Sequence, residues 1–333
     1  MNTPADTKEM AVLYTRIMFA GVPFIFGFNL IMAVLRGSGD AKTPFYFLLL
    51  SAVLDVALNP LLIVGIGPFP KMGISGSAVA TLIAQFVSFV LLILFLYRKK
   101  YFLRITREDI PLLHLDWGII GTTIRKGVPM GLNMVVVSLS NLFFLFQLVN
   151  SYGSEAAAAF GVASQISSYI QMPAMAIGGA VTSMAAQNIG AEKWDRVSRI
   201  TWIGVGFNVL LTGFLVVLVH LLNRQALALF LPAGGKAIDV GIEINNITLW
   251  SFIIFGIFFN VVAGVVRSSG SVVVPLVVTF IALLFFRVPL AFFLSHAFGF
   301  SAIWWSFPIG FTVAAVLNVL YYFFSAIGRR REW

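Results

Sequence analysis

"NLIMAVLRGSGDAKTP", Asn29 to Pro44, carries closely spaced glycines followed by a lysine and a threonine, the look of a phosphate-binding loop. Such a loop needs a strand before it, a helix start after it and a glycine directly before its lysine. Here an apolar run leads in, and Ala41 precedes Lys42. The segment also recurs. Asn260 to Pro275 reads "NVVAGVVRSSGSVVVP", and at a constant offset of 231 six of 16 positions are identical: Asn, Val, Arg, Ser, Gly and Pro. The second copy has Val273 where the first has Lys42, so nucleotide chemistry is not what the two share. Arg36 and Arg267 suit the cytoplasmic end of a membrane helix, where the helix dipole also favours a cation. Gly39 and Gly270 permit a tight reversal, and Pro44 and Pro275 start the next helix. The stretch is a membrane turn, present twice.

The rest of the sequence agrees with a lipid environment. Hydrophobic residues make up 59% of the 333 and charged residues 11%, against about 45–50% and about 25% in soluble domains. A soluble core cannot absorb that excess. The absence of cysteine excludes disulfide frameworks, zinc clusters and thiol catalysis. His114, His220 and His296 lie far apart, which argues against a histidine metal site. The net charge of +9 sits between apolar segments, the pattern of membrane loops rather than of nucleic-acid binding. No nucleic-acid partner is expected.

Apolar runs long enough to span a bilayer are read at 11–35, 44–66, 74–97, 127–150, 156–180, 200–222, 245–266, 273–295 and 301–325. No period-two alternation argues for a barrel, and the first ten residues do not resemble a cleavable signal peptide. The fold class is thus all-α, a polytopic helical membrane protein. Alternate span ends carry 16 and 5 of the 22 basic residues, with Arg287 inside a span. That bias predicts a cytoplasmic C-terminus and an outside N-terminus. A second echo, "GISGSA" (Gly73–Ala78) in "GFSAIW" (Gly299–Trp304), extends the repeat. Both Arg-Gly turns fall on one side, so the repeats are parallel, about an axis along the membrane normal. Three spans precede the helix ending at Arg267 in the second half and none precedes the helix ending at Arg36. The expected plan is a partial N-terminal lobe of three helices (1–97), a cytoplasmic linker (98–126) and a six-helix C-terminal lobe (127–333). It reads as twelve helices without the first three; a nine-helix protein is the alternative.

These residues resemble the multidrug and toxic compound extrusion (MATE) transporters. The matching stretches are "LRGSGDAKTP" (35–44), "NPLLIVGIGPFPKMGISGSAVAT" (59–81), "GVPMGLN" (127–133) and "AAQNIGAEKWDR" (185–196), in family order along the whole chain. The resemblance implies two six-helix lobes around a central cavity. It implies an antiporter in the bacterial inner (plasma) membrane that exports small organic, often cationic, compounds against protons or sodium. No enzymatic activity and no cofactor beyond the ion gradient are expected, and a monomer in the lipid bilayer is.

Asp55 lies well inside an apolar span, where a carboxylate is costly and marks function by default. Asn59, four residues on, shares its helix face, and Thr81 can complete a polar cluster from the next span. In archaeal and some bacterial members of the family, Asn and Asp four apart and a Thr on the next helix form a proton site with a first-helix Asp. This chain carries the pair in reverse order, Asp55 then Asn59. Asp55 is equally read as a hydrogen-bonded group at a helix interface. The carboxylates of the family's sodium site have no counterpart within spans 127–150 and 245–266, so that version is not expected. Asn29, Asn133, Gln165, Asn260 and Arg287 are candidates to line a substrate cavity, each also read as an interhelical hydrogen bonder. Arg287 pairs with an acid, meets an anionic group, repels a cationic substrate or snorkels. Ten methionines and 33 phenylalanines supply adaptable apolar surface where they face a cavity. The alternatives to antiport are a flippase for lipid-linked precursors, which wants a cationic cavity, and a fragment inactive alone.

Overall fold

The computed structural model describes residues 5–104, 116–231 and 236–324. Among those, every regular element is helical. The side chains of Lys8, Arg107, Gln147, Glu155, Lys236, Arg329, Arg330 and Arg331 lie outside the described residues. The chain divides into two compact units, Met1–Leu115 and Asp116–Trp333.

The N-terminal unit has three helices: α1 (Glu9–Gly37 in its apolar part), α2 (Lys42–Gly65) and α3 (Ile74–Arg98). Phe28, Met32 and Leu35 of α1 pack on Leu92 and Leu96 of α3. Most of the remaining apolar surface faces outward, as lipid-exposed helices require: only 11% of the α2 window is buried.

In the C-terminal unit, α4 runs from Trp117 to Gly190, beginning ten residues before the expected lobe boundary. It is not straight. Residues 144 and 160 of a straight helix stand about 24 Å apart, yet the Phe144 and Phe160 rings are 5.1 Å apart. The helix therefore folds back on itself, and its two limbs supply the expected spans 127–150 and 156–180. It is followed by α5 (Trp194–Leu221), short α6 (Asn223–Ala228), α7 (Lys236–Thr248), α8 (Ser251–Ser268), α9 (Val273–Phe298) and α10 (Ser306–Phe324). By length and hydropathy eight helical stretches among the described residues can cross a membrane; the first limb of α4, Trp117–Phe146, is one of them, and the second limb is not among them. The core gathers Phe144, Phe160, Phe252, Trp304, Phe307 and Phe311 from both limbs of α4, from α8, and from the segment leading into and along α10.

Three helices contain a π-turn, at Leu61–Gly65, Gly256–Val262 and Ile281–Arg287. Two have visible causes. Pro289 cannot donate one turn back and its ring crowds that carbonyl, which widens the turn before it. In α8 the Asn208 side-chain amide donates to the Ile253 carbonyl at 3.3 Å, and a side chain inserted in the ladder has the same effect.

The repeated turns share their backbone conformation and their serine bond. Gly39 and Gly270 have φ of 97° and 93°, the left-handed region in which glycine carries no steric penalty. Ser38 Oγ donates to the Leu35 carbonyl and Ser269 Oγ to the Val266 carbonyl, each at 2.8 Å. The next position is tied to a tyrosine, Tyr101 three residues after α3 and Tyr321 near the end of α10. The Tyr101 hydroxyl donates to Asp40, and the Tyr321 hydroxyl donates to Ser271 at 3.3 Å.

Candidate functional site

In the N-terminal unit, α2 and α3 bring two of the three expected residues together. The Thr81 hydroxyl donates to Asp55 Oδ1 at 2.9 Å. The Asn59 amide donates instead to the Asp55 backbone carbonyl at 2.9 Å, an i−4 bond within its own helix. Asp55 is half-buried, and among the described residues its Oδ2 has no hydrogen bond. That leaves one carboxylate oxygen fixed and the other able to take a proton or meet a cation. Asn29, on α1, is exposed and its amide returns to the Ile25 carbonyl at 2.8 Å.

Two adjoining cavities of the C-terminal unit bear on the expected residues. One, of about 260 Å³, is lined by Met130, Met134 and Met175, by Phe255 and Phe259, and by the amides of Asn133, Gln171 and Asn260, with Arg267 at its wall. Thioether side chains reshape at little cost, so such a wall accepts apolar bodies of varied outline. Asn133 donates to the Pro275 carbonyl at 3.2 Å and to Thr279 Oγ1 at 2.9 Å, clamping α4 to α9. Asn260 sits in the π-turn of α8, and its amide nitrogen is buried without a partner among the described residues. Gly178 on α4 makes room for it: a Cβ there would stand 2.6 Å from Asn260 Cβ.

The second cavity, of about 110 Å³, adjoins the first, since Val137, Gln171 and Phe255 line both. Its charged wall is Arg287, the last residue of the α9 π-turn. Arg287 is 2% exposed, which rules out snorkelling. Both of its terminal nitrogens donate to Asn141 Oδ1, each at 3.2 Å. The guanidinium carbon lies 3.6 Å from the Phe307 ring centroid and 5.4 Å from that of Phe144. The ring faces offset part of the desolvation that burying the charge costs. A second cation about 4 Å away is disfavoured by about 4 kcal/mol at an effective dielectric of about 20, and an anion is favoured by as much.

Gln165 is exposed and does not line this cavity, whereas Ser164, Ser167, Ser168 and Gln171 do. They recur at i, i+3, i+4 and i+7, one helix face, and Gln165 lies off that face. This polar stripe in "SQISSYIQ" is the signal that could have located the cavity from sequence. Asn141 carries no such signal, being a single asparagine in an apolar run. Among the described residues no group of three His, Cys, Asp or Glu can hold a metal.

Comparison with known proteins agrees with this architecture. The MatE family model matches residues 1–61 and 129–293. The chain is 38% identical over 326 residues to the probable multidrug resistance protein YoeA of Bacillus subtilis (strain 168), covering 97% of this chain and 70% of that protein. It is 30% identical over 322 residues to the probable multidrug resistance protein YpnP of the same organism, with the same 97% and 70% coverage. The outward-facing structure of a multidrug resistance MATE family transporter of the MOP superfamily superposes with a TM-score of 0.89 at 22% identity, over 99% of this chain and 71% of that one. That likeness concerns the fold.

Proposed function

Since the chain belongs to the MatE family of multi-pass membrane transporters, we propose that it exports small organic compounds from a bacterial cell by antiport. Asp55 carries the coupling ion, and the Met- and Phe-walled cavity of the C-terminal unit holds the apolar body of the cargo. The observation that carries this reading is the Asp55–Thr81 pair. One carboxylate oxygen is held by a hydroxyl at 2.9 Å and the other is left to load and unload an ion. A proton suits the site better than sodium, which wants several oxygen ligands where the described residues offer a carboxylate and one hydroxyl.

The flippase reading finds less support. A pyrophosphate headgroup calls for several cations converging on one cavity. Arg287 lines one cavity and Arg267 the wall of the adjoining one, one cation each, while Arg16 is exposed on α1.

The test is dye efflux from vesicles containing the chain, driven in separate runs by a pH gradient and by a sodium gradient. Asp55→Asn is expected to abolish gradient-driven efflux with membrane insertion unchanged, and Thr81→Ala to weaken it. Full efflux by Asp55→Asn would remove Asp55 from the mechanism.

A further inference from the structure

We propose that the Arg287 cavity binds one anionic group, a carboxylate or phosphate, of an amphipathic molecule whose apolar body lies in the adjoining Met/Phe cavity. It rests on the transport reading only in making that molecule the cargo; the binding site stands on its own geometry.

Arg287 is a buried cation, and among the described residues no carboxylate is buried. Its hydrogen-bond partner among the described residues is a neutral amide oxygen, Asn141 Oδ1. Of five guanidinium N–H donors, two are used there, and Nε has no partner among the described residues. A buried charge is ordinarily paired, and a guanidinium with free donors matches a carboxylate or phosphate in a bidentate fork. Among the described residues the cavity wall adds donors and no acid. Ser168 and Thr248 donate to carbonyls of their own helices, at 2.9 and 2.8 Å. Ser164 and Ser167 also line the cavity, and no hydrogen bond among the described residues engages their hydroxyls. A cation, two hydroxyl donors and the Asn141 amide form a built anion site.

Size selects what fits. At about 110 Å³ the cavity is well below the roughly 300–1,000 Å³ that a drug-sized ligand occupies. One charged group enters, and the remainder of its molecule must lie elsewhere. The Met/Phe cavity adjoins it, with Val137, Gln171 and Phe255 lining both. The ligand class is therefore an apolar, aromatic or acyl body ending in one anionic group. Two sources share this chemistry: a soluble organic acid and an anionic lipid.

The experiment uses the full chain in nanodiscs and three pyrene probes of one length: pyrenebutyrate, pyrenebutanol and a pyrenebutyl-trimethylammonium salt. In phosphatidylcholine discs the anion is expected to bind about tenfold or more tighter than the alcohol, and the cation weaker than the alcohol. Arg287→Gln should equalise anion and alcohol, and Arg287→Lys should keep part of the preference. Repeating the series in discs containing phosphatidylglycerol separates the sources. Loss of the anion preference there, by competition, assigns the site to lipid phosphate; its persistence assigns it to soluble acids. Equal binding of anion and alcohol by the unmodified chain overturns the proposal, without reliance on any variant folding. So does a preference that survives Arg287→Gln. Anion-selective binding without gradient-driven efflux would overturn the transport reading and leave this site standing.

Discussion

Gly178 gives the most direct test of the packing behind the Met/Phe cavity. A Cβ at this position would lie 2.6 Å from Asn260 Cβ and 2.9 Å from both the carbonyl carbon and oxygen of Asn260. Two of those atoms are backbone, so no side-chain rotation relieves the overlap. Reaching ordinary contact requires α4 and α8 to separate by close to 1 Å, and overpacking of that kind costs about 1–3 kcal/mol. Gly178→Ala also gains helix propensity, up to about 1 kcal/mol, which masks part of the cost. The neighbouring glycine provides the correction. Gly179 is exposed, and a Cβ there meets nothing within 4 Å. Gly179→Ala takes the propensity gain without the clash, so the difference between the two variants isolates the clash. Chemical denaturation in mild detergent micelles should place Gly178→Ala about 1–3 kcal/mol below Gly179→Ala. Asn260→Ala should not rescue Gly178→Ala, because the contact begins at Cβ and the backbone. Equal stability of the two glycine variants, or rescue by Asn260→Ala, would refute the close approach of α4 to α8.

Two further outcomes follow from single contacts. Asn133→Ala loses both bonds to α9, and at about 0.6 kcal/mol for an average interhelical bond the expected loss is about 1 kcal/mol, read by the same denaturation. Asp40, in the turn before α2, has its carboxyl held at about 2, below its ordinary 3.8, first by Thr43 and then by the Tyr101 hydroxyl. A carboxyl with a depressed folded pKa adds stability above its unfolded value and loses it as pH falls through the folded one. The turn should therefore weaken between about pH 4 and pH 2, and Asp40→Asn should flatten that limb of a thermal-stability profile. The site is largely solvated, so the effect is at most about 0.5–1 kcal/mol.

The turns and spans were legible in the sequence because each rests on a local rule. A reversal at positive φ needs glycine, and both copies have it; a bilayer span needs a long apolar run, and the runs are there. The fold-back of α4 was legible as two spans but not as one helix, since hydropathy does not record whether the backbone stays helical through a bend. The Arg287 partner was out of reach for a different reason. Asn141 is 146 residues away, and no local periodicity points to it. Gln165 stands out in the sequence as a polar residue in an apolar run, but the helical phase of Ser164, Ser167, Ser168 and Gln171 is what marks the cavity face. The α8 π-turn depends on Asn208 reaching in from α5, a tertiary event with no signature in α8 itself.

The repeat also shows where the two units diverge chemically. At the offset of 231 residues, Asp55 aligns with Phe286, one position before Arg287. The helix carrying Arg287 contains the π-turn Ile281–Arg287, and a turn closed i to i+5 takes one residue more than an α-turn. Allowing for that residue, Asp55 and Arg287 stand at the same place in the second helix of their repeats. Around them the neighbours differ in kind. Asp55 meets the hydroxyl of Thr81, a donor that suits a carboxylate. Arg287 meets an amide oxygen and two aromatic faces, which suit a cation. A duplicated scaffold thus carries an acid in one unit and a base in the other at the same place in the repeat. The shared turn chemistry holds the helices alike, and the two proposed sites differ in the sign of the charge at this one position. Exchanging the charges singly is accordingly more informative than removing them. Arg287→Glu should reverse the probe preference of the C-terminal unit from anion to cation, provided that a denaturation curve shows the variant folded. A folded variant that still prefers the anion would locate selectivity in the hydroxyl stripe of α4 and not in this position.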